Sequence, residues 1–143
     1  MKGLLRFFQL SFIPKNVDLG LLVLRVALGA QMIYGHGWGK MITFSEKAAT
    51  FPDPWNIGNS TSAALAVFGE VVCSALIALG LFTRFAAIFA IATMATAFFK
   101  VHQGQLTGEG SGEMAFLYLI GFLVIFLSGP GKYSVDASIS SEA

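Results

Sequence analysis

Two ionisable residues, Arg25 and Glu70, fall inside otherwise apolar stretches of the 143-residue chain. Unpaired in hydrocarbon, each costs about 2.5 to 3.5 kcal/mol on insertion scales, so both call for a partner or water. If the run holding Arg25 ends near His36 and the run holding Glu70 begins near Ser62, they lie roughly 16 Å and 12 Å below those ends at about 1.5 Å per residue. Matching depths predict an Arg25 to Glu70 ion pair in the centre of the bundle. Ala63, Ala66 and Ser74 share the face of Glu70 and are small enough to admit a second helix. Such a pair has two readings. It locks helix order and register, or it is a proton or anion site, because a buried carboxyl beside a cation titrates when a ligand changes its surroundings.

A second set of polar residues clusters at the ends of the apolar runs. His36 follows Arg25 by close to three helical turns at about 100° per residue, which places it above the expected pair if the helix persists. The glycines of the run GHGWGK, 35 to 40, are expected to end that helix and expose backbone amides to a ligand. Lys100 and His102 end a third apolar run, Glu113 begins a fourth, and Thr93, Thr96 and Lys100 share one helix face. His36, Trp38, Lys40, Thr96, Lys100, His102 and Glu113 would then line an outer mouth above Arg25 and Glu70. Histidine supplies proton exchange near neutral pH and lysine supplies positive charge. The same residue types also serve as interfacial anchors at span ends. Two histidines and a carboxylate without local spacing make no metal motif, so no metal site is expected. Cys73 reads as a small buried apolar residue. Phosphate-binding loops and metalloprotease signatures are absent.

The elements that must position these residues follow from composition. The chain is 55% hydrophobic and 12% charged, where soluble domains carry about 25% charge. That excludes a water-soluble globule, and a net charge of +1 excludes a nucleic-acid surface. One cysteine excludes an internal disulfide. Residues 19–38, 62–82, 85–101 and 114–129 form four apolar runs of roughly 24 to 32 Å, which bracket a hydrocarbon core of about 30 Å. The expected fold is therefore all-α: an integral membrane four-helix bundle, antiparallel, forming a single membrane domain over 1–143 with lipid as its surrounding partner. Residues 1–16 mix Lys2, Arg6 and Lys15 with Phe and Leu and predict a short interfacial helix, whereas 130–143 read as a polar tail. Pro52, Pro54 and Gly58 break the loop after the first span. Lys2, Arg6, Lys15, Arg84 and Lys132 fall on one side, which predicts that both termini are cytoplasmic.

With the spans placed, LLVLRVALGAQMIYGHGWGKM at 21–41, FGEVVCSALIALGLFTR at 68–84 and GEMAFLYLIGFLVIFLSGPGKYSVD at 112–136 together resemble the DoxX family of small four-helix bacterial membrane proteins. The resemblance rests on Arg25, on His36, Trp38 and Lys40, on Glu70 within its helix, and on the closing pattern Gly129, Pro130, Gly131, Ser134 and Asp136. It implies a bacterial inner-membrane protein. Related DoxD proteins are linked to a thiosulfate to quinone oxidoreductase, so the resemblance points to a redox-linked subunit that binds a quinone or a small sulfur oxyanion at its outer face. Such a subunit would work within a larger redox complex or as a homo-oligomer. The chain shows no oxidoreductase cofactor motif, and two alternatives stay open: an accessory or structural membrane protein, and a small transporter acting as an oligomer.

Overall fold

The computed structural model describes residues 2–142, so Met1 and Ala143, which end the expected interfacial segment and polar tail, lie outside it. Among the described residues every regular element is helical. In chain order these are α1 (Lys2–Phe8), α2 (Val17–Ile42), α3 (Phe44–Lys47), α4 (Asn59–Leu79), α5 (Thr83–Val101), α6 (Glu113–Ser128) and α7 (Val135–Glu142). Three of them, α2, α4 and α5, are long and apolar enough to cross a membrane. The apolar α6 has 16 residues, roughly 24 Å of helix.

Local chemistry sets the ends. Asn16 caps α2 by accepting from the Leu19 amide at 3.0 Å. Gly80, at φ +74°, closes α4: its amide and that of Leu81 turn back onto Ile77 O and Leu76 O at 3.1 and 2.9 Å. A shared core of Met32, Cys73, Ile77, Ala86, Ala87, Ala90, Met94, Phe98, Tyr118, Phe122 and Ile125 draws on α2, α4, α5 and α6. Outside it Val23, Leu65, Val72, Ile88, Leu117 and Leu127 are exposed, an apolar exterior suited to lipid.

One expectation needs correction. The glycines of GHGWGK do not end the first span. The helix runs through them as a π turn over Ile33–Gly37 and goes on to Ile42, since glycine permits a helix wherever packing rewards one, and here Gly37 presses against α4. Within residues 130–142, α7 and the strap before it fold back onto Asp18, Arg25, Gly80 and the start of α5. As expected, residues 2–8 form a short helix, with Leu4, Leu5, Phe7 and Phe8 exposed.

Candidate functional site

Arg25 and Glu70 do not pair. Arg25 is fully buried at the closing end of the bundle, where Nη1 donates to Ile77 O and Ala78 O at 3.1 and 3.2 Å and Nη2 to Tyr133 O at 2.6 Å. The physical reason is level. A Cβ added to Gly37 would stand 3.1 Å from Glu70 Cβ. Gly37, not Arg25, therefore sits opposite Glu70, and Arg25 lies roughly 18 Å further along α2. Instead, the carbonyls freed where α4 stops receive its guanidinium, a planar donor well matched to several of them.

The closing pattern completes this end. The Asp136 carboxylate accepts from the Phe82 and Thr83 amides at 2.8 and 2.9 Å and from Thr83 Oγ1 at 2.8 Å, so it caps α5 from outside the helix. Burial pushes the Asp136 carboxyl up, but the Thr83 amide and hydroxyl, the Phe82 amide and the Arg25 charge together hold it below the ordinary carboxylate range. Lys132 N donates to Asp18 at 2.8 Å, and Ser134 Oγ accepts from Ala137 N at 3.1 Å. Gly80 is obligatory here, because an added Cβ would collide with Arg25 and lie 2.5 Å from Ser134 Cβ. The cluster is spatially separate from the residues of the expected mouth with which Arg25 was grouped.

Glu70 is paired by Lys40 instead. Nζ reaches both carboxylate oxygens, at 2.5 and 2.6 Å, with the Glu70 side chain 5% and the Lys40 side chain 36% exposed. The pair stands at the wall of a cavity of about 660 Å³ between α4 and α5. Its apolar lining includes Leu65, Phe68, Phe89 and Ala92, and its polar lining Glu70, Lys40, Thr93, Thr96 and His102. The loop after α3 covers it. Asp53 ties that loop by accepting from Ser62 Oγ at 2.7 Å and from the Gly58 and Ile57 amides at 2.7 and 3.1 Å. These bonds, led by that of Ser62, hold the Asp53 carboxyl below its usual range. Trp55 then donates from Nε1 to Thr96 Oγ1 at 3.3 Å, and the Lys100 ammonium lies 4.9 Å above its ring.

The expected mouth is thus partly assembled. Lys40, Glu70, Thr96 and His102 line one cavity, with Lys100 acting on it through Trp55. His102 Nδ1 lies 2.8 Å from Gly110 O, which anchors the glycine-rich loop. His36 lines a neighbouring cavity and meets the Tyr118 ring edge-on at 5.4 Å. Trp38 and Glu113 are exposed and line neither cavity. His36, Glu70 and Lys100 each sit in a π turn, within Ile33–Gly37, Phe68–Cys73 and Ala97–Val101. Such turns recur at functional sites because the extra residue re-aims side chains out of helical register. Among the described residues no group of three or more His, Cys, Asp or Glu is placed to hold a metal ion.

The spacing of the charges left the Lys40 to Glu70 pair unread, because its signal was structural: a helix that persists beyond Gly39. Asp53 and Trp55 lie in the loop broken by Pro52, Pro54 and Gly58, where no sequence pattern marks them as roofing a cavity.

Comparison with known proteins gives a match to the family model described as DoxX over residues 20–103. An uncharacterized protein of Haemophilus influenzae is 40% identical over 75 residues, covering 47% of this chain and 54% of that protein, so the chain spans about half the length of that relative. A second uncharacterized Haemophilus influenzae protein is 26% identical over 105 residues, covering 71% of this chain and 70% of that one. No solved structure matches.

Proposed function

The chain belongs to the DoxX family of membrane proteins, and on that footing we propose that it is a four-helix bundle of the bacterial inner membrane which holds a quinone head group in the larger cavity. Both termini would lie in the cytoplasm. The observation that carries this reading is the composition of the cavity wall: mostly apolar and aromatic, reaching the exterior at Leu65, Phe68 and Phe89, with a bidentate Lys40 to Glu70 pair and His102 as its charged and titratable groups. Binding sites of this kind combine an apolar body with a few orienting polar groups, and about 660 Å³ falls within the usual range for small-molecule pockets.

The same wall favours a quinone over a sulfur oxyanion. Lys40 is neutralised by Glu70 and Lys100 is turned to Trp55, so an anion would enter an apolar space with little uncompensated positive charge. A neutral quinone accepts a hydrogen bond from the Thr96 hydroxyl at the cavity wall. In this reading Glu70 and His102 would be the groups that exchange protons with it. In this role the chain supplies binding and proton exchange, while electrons enter from partner proteins in a larger redox assembly. The Arg25 and Asp136 cluster favours a second reading, an accessory protein whose polar groups only hold the bundle closed.

Quenching of Trp55 tests the proposal. The chain has two tryptophans, and Trp38→Phe leaves Trp55, on the cavity wall, as the sole reporter. A short-chain ubiquinone analogue should quench it saturably in nanodiscs, and Ala92→Phe, which narrows the cavity, should remove the saturable component. Linear quenching that is identical in both proteins would overturn the quinone site and leave the accessory reading in front.

A further inference from the structure

On the other side of Lys40 lies a second cavity, of about 370 Å³. Its lining holds His36, Lys40 and Lys47 and no acidic residue. Lys40 uses two of its three ammonium N–H groups on Glu70, so one donor is left. Lys47 is exposed and makes no ion pair among the described residues. Apart from Thr43, whose hydroxyl donates to Gly39 O at 2.9 Å, the remaining wall is apolar, with Phe44, Phe51 and Val67. The cavity stands where the membrane-length α2 ends and α3 begins, the depth at which the polar head groups of lipids meet the protein.

We propose that this cavity seats the phosphate group of an anionic phospholipid. A phosphodiester carries one negative charge and acceptor oxygens, which suits Lys47, the spare Lys40 donor and His36 together. The glycerol and the first part of an acyl chain would follow Phe44, Phe51 and Val67. That apolar wall is what separates a lipid from a free phosphate, which would have to shed water against it without compensation. Gly39 belongs to the same wall, and a Cβ added there meets no atom within 4 Å. The cavity can therefore be filled from Gly39 without disturbing the backbone.

Native mass spectrometry of protein released from nanodiscs of phosphatidylcholine doped with phosphatidylglycerol tests this. The wild-type chain should carry phosphatidylglycerol in excess of its share in the bilayer. Lys47→Gln should lower that excess about five-fold, the effect of removing one cation near an anionic surface. Gly39→Leu should abolish it, with an unfolding midpoint that shows the protein still folded. The assay uses no quinone, so its outcome is independent of the larger cavity. No excess on the wild type, or an excess unchanged in both variants, would overturn the proposal. Displacement of the lipid by inorganic phosphate at millimolar concentration, with phosphate then retained on the protein, would overturn the lipid assignment in favour of a free-anion site.

Discussion

Cutting the Lys40 to Glu70 pair from its two sides should not cost the same. Lys40→Met leaves the Glu70 carboxylate with its side chain 5% exposed and no cation, a stranded buried charge of the kind that costs about 3 to 5 kcal/mol. Glu70→Ala instead releases an ammonium whose side chain is already 36% exposed and whose stem lets it reach water or head groups. That change loses two charge-assisted hydrogen bonds but strands nothing, at about 1 to 3 kcal/mol. The expected difference between the single variants is about 2 kcal/mol, with Lys40→Met the worse. The double variant should be close to Glu70→Ala or better, because replacing a buried pair by apolar groups is often neutral. Unfolding in mixed micelles by titration with a denaturing detergent, followed by helical circular dichroism, measures all four proteins. Arg25→Leu serves as the control. Roughly 18 Å along α2 from the level of Glu70, it should add to Glu70→Ala within about 0.5 kcal/mol and rescue nothing. Equal costs for the two single variants, or rescue by Arg25→Leu, would refute the pairing and the level assignment behind it.

Asp136 predicts an acid limb. Its carboxyl is held below the unfolded value of about 3.9, so its contribution is present above that pH and is lost as pH falls through the lower folded value. Asp136→Asn should cost about 2 kcal/mol at neutral pH and flatten the stability profile below about pH 4, measured by thermal unfolding across pH; an unchanged acid limb would count against the cap. Orientation is open to fusion reporters. A reporter active only outside the cell should be silent at the C-terminus and active when inserted in the loop at 104–110, and the reverse pattern would invert the assignment.

The apolar runs were legible because hydrocarbon leaves few options: a backbone surrounded by lipid must satisfy itself within a helix, so length and hydropathy alone locate the apolar helices to within a few residues of their ends. The short helix at residues 2–8 was legible for a related reason, the interleaving of Arg6 with Phe7, Phe8 and Leu4. The pairing of the intramembrane charges was not. Depth along a span depends on where its helix ends, and glycine is ambiguous there, since a run such as GHGWGK stops an isolated helix yet lets a packed one approach its neighbour closely. Gly37 is in the second situation, with Glu70 and Val71 where its side chain would be. Once the helix continues to Ile42, Lys40 comes within reach of Glu70 and Arg25 is carried to the opposite end. The covering loop was illegible for another reason: Asp53 and Trp55 act through contacts with Ser62 and Thr96, distant partners that no local pattern announces.

The two charged clusters differ in the kind of partner they use, and this bears on what each does. At the closing end, Arg25 binds main-chain carbonyls and Asp136 binds main-chain amides together with the Thr83 hydroxyl. Those groups would otherwise be left orphaned where α4 stops and α5 starts, so the charges complete the fold and have little freedom to move. At the other end Asp53 and His102 also hold loop main chain, but the contacts nearest the charged pair run between side chains: Lys40 to Glu70, Trp55 to Thr96, Lys100 over Trp55. Breaking any of these leaves the helical ladder intact. Rearrangement around a ligand is therefore far cheaper beside the cavities than at the strap, and the π turns at Ile33–Gly37, Phe68–Cys73 and Ala97–Val101 carry His36, Glu70 and Lys100 in that adaptable set. The main-chain cluster of Arg25 and Asp136 thus fixes the end where α4 gives way to α5, and the side-chain contacts lie beside the 660 Å³ cavity between the same two helices.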